Sequence, residues 1–255
     1  MIENFRGPKM RIKDKVALVT GAGGHLGRGI ALRLAEEGAR IMVNDIIGAR
    51  AEETVDLIFQ SGGSALCHSA DVTKSNQVYD MVQVMLSAWG KVDILVNNAG
   101  MPRDALLVKM NEEDWDFVVD LCLKGSFLCA KAVTPHMIDR KSGKIINISS
   151  MSYKGNIGQV NYASAKAGVV GMTRCLGLEL ARYGINVNCV APGLINTEIT
   201  ASFPEDVKKR LLQTIPMRKM GEIRDIANIV LFLASDEAGF ISRQVIHVSG
   251  GAEGF

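Results

Sequence analysis

Two rhythms of apolar and polar positions alternate along this chain. Short, mostly β-branched apolar runs fall at 16–19, 40–44, 65–69, 94–97, 144–148, 186–190 and 244–248. The intervals carry helical spacing: Leu26, Ile30 and Leu34 recur every four residues, and Ile226, Ile229, Val230 and Leu233 follow i, i+3, i+4, i+7. Runs this uniformly apolar leave no face for water, and the helices between them supply the cover. The pattern predicts an α/β fold: a doubly wound parallel sheet of about seven strands with helices on both faces.

No linker, repeat or composition break interrupts the rhythm. Residues 11–255 are therefore expected to form a single domain, and residues 1–10, with charges and a Gly-Pro but no apolar run, a flexible extension that is not a signal peptide. The 255 residues suffice for a core on both faces of a sheet. No stretch approaches the roughly 18 unbroken apolar residues that span a bilayer, so no membrane association is expected. Lys plus Arg number 29 against 27 for Asp plus Glu, a net charge of +2, which removes the electrostatic ground for a nucleic-acid partner. Cys67, Cys122, Cys129, Cys175 and Cys189 form no C-x-x-C pair and keep no ligand spacing to the histidines. They read as reduced thiols of a cytoplasmic protein, with no metal site.

Candidate chemistry begins where the first strand ends. Thr20 to Gly27 reads T-G-A-G-G-H-L-G and runs into the first helix near Leu26. Gly21, Gly24 and Gly27, with His25 and Leu26, form a turn whose backbone N–H groups can approach a pyrophosphate at a helix N-terminus. Asp45 closes the second strand, where a carboxylate accepts both ribose hydroxyls of an adenosine and repels a 2′-phosphate. Asp71-Val72 follows the third strand and can position adenine. Asn98-Ala99-Gly100 follows the fourth, at the switch point of such a sheet.

Tyr162 and Lys166 lie one turn apart on one face of a helix. A phenol, with an ordinary pKa of about 10, becomes a useful proton shuttle when a nearby cation stabilises its phenolate. Lys166 supplies that charge. Ser149-Ser150 ends the fifth strand, where a hydroxyl can hold a substrate oxygen beside Tyr162.

Together these segments resemble the short-chain dehydrogenase/reductase family, closest in look to its 3-oxoacyl-[acyl-carrier-protein] reductase-like members. The match runs from Lys13 to Ala252. It includes Val190-Ala-Pro-Gly193, Thr197, Phe232-Leu-Ala-Ser-Asp and Ser249-Gly-Gly, and it is closest through Asn98–Met110 and Gly155–Tyr162. The resemblance implies a Rossmann-type sheet and a nicotinamide cofactor. It implies Tyr162 as proton donor or acceptor, Lys166 lowering its pKa and reaching the nicotinamide ribose, and a serine orienting the carbonyl. Anchoring on the strand assigns that serine to Ser150, whereas the family's usual interval back from Tyr162 lands on Ser149, which stays open as the alternative. Pro192, Gly193, Ile195 and Thr197 fall where the family contacts the nicotinamide. A homotetramer is implied too, and the stretches 114–137 and 163–181 are apolar over more than one face, as helices between subunits would be.

Two departures from the family pattern stand out. His25 replaces a glycine of the turn, and Cys122 replaces an Asn that bends a helix and holds a relay water, for which a thiol is a poor substitute. The 3-oxoacyl reductases it resembles typically take NADPH with a basic residue where this chain has Gly24, and lack an acid like Asp45. They also dock acyl carrier protein on paired basic residues, here Lys141 and Tyr183, with Arg140 and Arg182 adjoining. The expected function is thus NAD(H)-linked interconversion of a 3-hydroxyacyl and a 3-oxoacyl thioester, with a small-molecule CoA ester ahead of a carrier protein. A secondary, polyol or cyclic alcohol dehydrogenase is the alternative. A non-catalytic NAD-binding module is a third, opposed by the presence of Tyr162, Lys166 and a strand-end serine.

Overall fold

In the computed structural model, residues 10–197, 200 and 203–254 are described. Strands β1 (Val16–Val19), β2 (Arg40–Asp45), β3 (Ser64–Ser69), β4 (Ile94–Asn97), β5 (Gly143–Ile148), β6 (Ile185–Pro192) and β7 (Val245–Val248) make one parallel sheet in the order β3-β2-β1-β4-β5-β6-β7. The chain winds outward from β1 to β3, then returns to place β4 on the other side of β1. That reversal opens a crevice at the carboxyl ends of β1 and β4.

The two-faced burial foreseen from the apolar runs is realised by alternation within the inner strands, whereas the edge strands β3 and β7 keep exposed or half-buried positions. Ala17 and Val19 of β1 face one core, shared with α1 (His25–Glu36), α2 (Gly48–Gln60) and α8 (Ile223–Ala234). Val16 and Leu18 face the other, shared with α3 (Ser75–Trp89), α5 (Gly125–Arg140) and the end of α6 (Val160–Leu180). Leu18 is fully buried, and such a side chain stabilises the fold by roughly 1.5–3 kcal/mol. Helix α4 (Glu112–Val119) passes into α5 through a wide π turn at Asp120–Lys124, and α7 (Glu205–Thr214) lies between β6 and α8.

Expected and observed strands differ at the ends. β6 runs on to Pro192, which has no N–H, but the next donor, Gly193 N–H, reaches the Val248 carbonyl at 2.9 Å. β7 starts after Gln244 because the Gln244 N–H bonds the Asn188 side chain, at 3.1 Å, instead of the ladder. Residues 1–9 of the expected extension lie outside the described residues, and Met10 is exposed. All five cysteines are free thiols, and among the described residues no helix is long and apolar enough to cross a membrane.

Candidate active site

The turn after β1 needs glycine at particular positions. Gly21 has φ +62°, and a Cβ there would stand 2.9 Å from the Ala99 Cα. A Cβ on Gly27 would run into the Gly21 carbonyl, and one on Gly23 would lie 2.9 Å from the Asp45 carboxylate. Gly24 is different: nothing approaches its Cβ position closer than 3.7 Å, so a side chain fits there. Helix α1 starts at His25 with Gly24 as its N-cap and no side-chain cap. Its first N–H groups and the positive end of its dipole therefore face the turn, a cradle that fits a pyrophosphate. Leu26 packs against the α1–α2–α8 core, so a cofactor would meet its backbone.

Asp45 ends β2 with both carboxylate oxygens directed by backbone donors, Gly23 N–H at 3.1 Å and Ile47 N–H at 3.0 Å. Thr20, which sequence reading passed over, ties the crevice together: its hydroxyl oxygen accepts from the N–H groups of Asn98 (3.0 Å) and Ala99 (3.1 Å). The Asn98 amide donates back to the Thr20 and Gly21 carbonyls at 2.9 and 3.2 Å, so it braces the glycine turn. A hydroxyl at the last residue before a glycine turn was the available signal. Asp71 accepts from the Thr73 N–H and hydroxyl, and Val72 is buried against Gly125.

Ser149 and Ser150 leave β5 on opposite sides. The Ser149 hydroxyl is buried and donates to the Lys166 carbonyl at 2.9 Å. Ser150, in extended backbone with φ −163°, accepts from the Ser152 N–H at 3.1 Å and stands close enough to the Tyr162 phenol to lower its pKa. Lys166 is buried, donates from Nζ to the Ile148 carbonyl at 2.8 Å, and holds its ammonium 5.5 Å from the Tyr162 ring centroid. Gly100 makes room for this group: a Cβ there would stand 2.9 Å from Cys122 Sγ and 3.2 Å from Lys166 Nζ. Burial pushes the Tyr162 phenol up, and the Lys166 charge and the neighbouring Ser150 hydroxyl pull it down without fully offsetting burial. Burial works against the Lys166 ammonium, yet its acidic neighbours, Tyr162 first, hold its pKa above the usual lysine value. The pair therefore rests as a neutral phenol beside a cation.

Asn161, also passed over, fixes the residue that follows it. Wholly buried, it accepts from the Tyr162 N–H at 2.7 Å and donates to the Arg103 and Asp114 carbonyls at 2.9 and 3.2 Å. The helix bend at Cys122 forms without an Asn: the Cys122 carbonyl, in the π turn, accepts from the Ser126 hydroxyl at 2.8 Å. On the far side of the crevice, Pro192 ends β6 and Gly193 lies against Ser249. Ile195 is buried and bridges to Gly221, and the Thr197 N–H donates to the Thr200 hydroxyl at 2.9 Å.

A parallel sheet with a glycine turn at its switch point, and a tyrosine–lysine pair across the crevice, defines a nicotinamide-dependent oxidoreductase acting on CH–OH groups. The chain belongs to the short-chain dehydrogenase/reductase family. Residues 21–253 match the family profile adh_short_C2, described as "Enoyl-(Acyl carrier protein) reductase". The chain is similar to the (2S)-[(R)-hydroxy(phenyl)methyl]succinyl-CoA dehydrogenase subunit BbsD of Thauera aromatica, at 48% identity over 95% of this chain and 98% of that one. It is 47% identical to 3-oxoacyl-[acyl-carrier-protein] reductase FabG of Staphylococcus epidermidis, over 93% of this chain and 98% of the relative. A solved structure described as a short-chain alcohol dehydrogenase, from Sinorhizobium meliloti 1021, superposes with a TM-score of 0.91 at 37% identity, covering 96% of this chain and 98% of that one.

Proposed function

We propose that this enzyme uses NAD(H) to interconvert a 3-hydroxyacyl and a 3-oxoacyl thioester, with CoA as the carrier. The carrying observation is the convergence of Ser150, Tyr162 and Lys166, with Ser149 turned away into α6. Reduction adds a hydride to the ketone carbon and a proton to its oxygen. The nicotinamide, when bound, supplies or takes the hydride. Ser150 donates a hydrogen bond to the carbonyl oxygen, Tyr162 gives that oxygen its phenolic proton, and the Lys166 ammonium stabilises the phenolate left behind. Oxidation of the alcohol runs the same steps backwards.

On this reading the backbone from Gly21 through Gly24, His25, Leu26 and Gly27 holds the pyrophosphate. Asp45 takes the adenosine ribose, Asp71 and Val72 border the adenine, and Asn98, Ala99 and Gly100 line the cofactor's middle. Pro192, Gly193, Ile195 and Thr197 border the nicotinamide. Asp45 favours NAD(H) because its charge opposes a 2′-phosphate, and Gly24 offers no cation to bind one.

Both relatives named above act, by their names, on thioesters, one of CoA and one of acyl carrier protein. The state of Arg140 supports CoA here: it is paired with the buried Asp93 at 2.5 Å, so its charge is met within the chain, and Tyr183 adds no cation beside it for an acidic carrier protein. Arg182 lies over the Tyr183 ring, bonds its hydroxyl at 2.7 Å and keeps its charge. The five unpaired thiols fit a cytoplasmic enzyme. Exposed Phe127 on α5 and Leu178 on α6 fit a homotetramer, and light scattering at the 27.5 kDa monomer mass would reject it. A panel of kcat/KM values with NADH tests the substrate class. Acetoacetyl-CoA or a longer 3-oxoacyl-CoA is expected to exceed cyclohexanone, a ketose and a steroid ketone, whereas a cyclic or polyol substrate ahead of every thioester by about tenfold would replace it.

A further inference from the structure

Asp104 has no part in the proton transfer above, yet it is fastened to the residues that lead into Tyr162. Three consecutive residues of the loop after β4 are bound in register to the entry of α6. The Arg103 carbonyl accepts from Asn161 Nδ2 at 2.9 Å, and the Ala105 N–H donates to the Gly158 carbonyl at 2.9 Å. Between them, both Asp104 carboxylate oxygens accept from Gln159 Nε2, at 3.1 and 3.0 Å. Gln159 is the N-cap of α6, one helical turn ahead of Tyr162.

A neutral amide fixes a carboxylate without cancelling its charge. The adjacent cation is tied elsewhere: the Arg103 guanidinium lies 3.6 Å from the Phe117 ring centroid and pairs with Asp114 at 2.8 Å. Among the described residues no ion pair involves Asp104. Its charge is nonetheless felt at the reacting centre, because after burial and Cys122 it adds to the upward push on the Tyr162 phenol.

We propose that the Asp104 carboxylate, held by Gln159 one helical turn ahead of Tyr162, is a specificity device that admits 3-oxoacyl thioesters and disfavours the corresponding free 3-oxo acids. The inference rests on the thioester reading above. A thioester places a neutral carbonyl two carbons from the reacting ketone, and the free acid places a carboxylate there. A fixed carboxylate on this side of Tyr162 repels the acid and not the thioester, a bias of about fivefold or more.

The test compares S-acetoacetyl-N-acetylcysteamine, which lacks the CoA phosphates, with acetoacetate, both with NADH. In Asp104→Asn the hydrogen bond from Gln159 can persist while the charge is gone. That variant is expected to raise the kcat/KM ratio of acetoacetate to thioester at least about fivefold over wild type. Gln159→Ala keeps the charge and releases the clamp, and is expected to raise the ratio by less than Asp104→Asn does. High salt should narrow the wild-type bias, since Asp104 is exposed. Thioester turnover with a ratio unmoved by Asp104→Asn, or raised equally by Gln159→Ala, overturns this inference alone. Absence of thioester turnover overturns it together with the reading on which it rests.

Discussion

The two sides of the crevice are built on different principles. On the proposed reading the nucleotide side is local: within Thr20–Gly27 it relies on missing side chains, on backbone N–H groups and on a helix terminus, with Asp45 steered by two more backbone donors. The chemical side is assembled from β5, α6 and the loop after β4, and its geometry depends on side-chain hydrogen bonds among them. A site made of backbone tolerates change wherever space permits, as at Gly24. A site made of cross-linked side chains fails when one member is removed. Substitutions on the chemical side should therefore cost turnover first, and substitutions on the nucleotide side should change which cofactor binds.

Lys166→Ala is expected to have the largest effect short of removing the phenol itself, about 10³-fold in kcat. It deletes a buried cation whose pull partly offsets the burial of Tyr162. The sign follows from the direction of the shifts. Alcohol oxidation needs phenolate, so its rate rises with pH, and losing Lys166 pushes the phenol further up and moves that alkaline limb to higher pH. Reduction uses the neutral phenol and stays level through neutral pH. A variant whose oxidation limb does not move would break the assignment of Lys166 to the Tyr162 proton.

Ser150→Ala comes next, at about 10²-fold in kcat/KM, the scale of one lost donor to a developing oxyanion. Ser149→Ala should cost far less turnover and show instead as a lower Tm, because its hydroxyl serves the α6 backbone. Steady-state kinetics and thermal unfolding of the two variants side by side would sharpen the contrast, and the reverse ranking would reassign the role. The smallest expected effect is on the nucleotide side. Asp45→Ala should narrow the preference for NADH over NADPH by about tenfold in Kd, read by fluorescence titration, since removing one like charge relieves that scale of repulsion. Equal binding of both nucleotides by the wild type would remove the ground for Asp45.

How much of this was legible beforehand follows the same division. Strands β1 and β4 were readable to the residue because strands buried on both faces leave unbroken apolar runs. The glycine turn and the strand-end Asp45 were readable because their constraint is local. The Ser149–Ser150 choice was not, since successive side chains on a strand point to opposite faces and a one-residue register decides which one meets Tyr162. Nor were the Thr20–Asn98 brace, the Asn161 latch or the Asp104–Gln159 contact. Each joins positions distant in the chain through polar side chains, which leave no periodic trace.

Separability of the two sides is most directly tested in Tyr162→Phe, by measuring NADH affinity and turnover of acetoacetyl-CoA on the same preparation. Removing one hydroxyl leaves the glycine turn, Asp45 and Lys166 in place, so NADH should bind within about twofold of wild type while kcat falls by 10³-fold or more, on the order of a lost general acid. Substantial turnover in that variant, or loss of NADH binding alongside loss of turnover, would contradict the account.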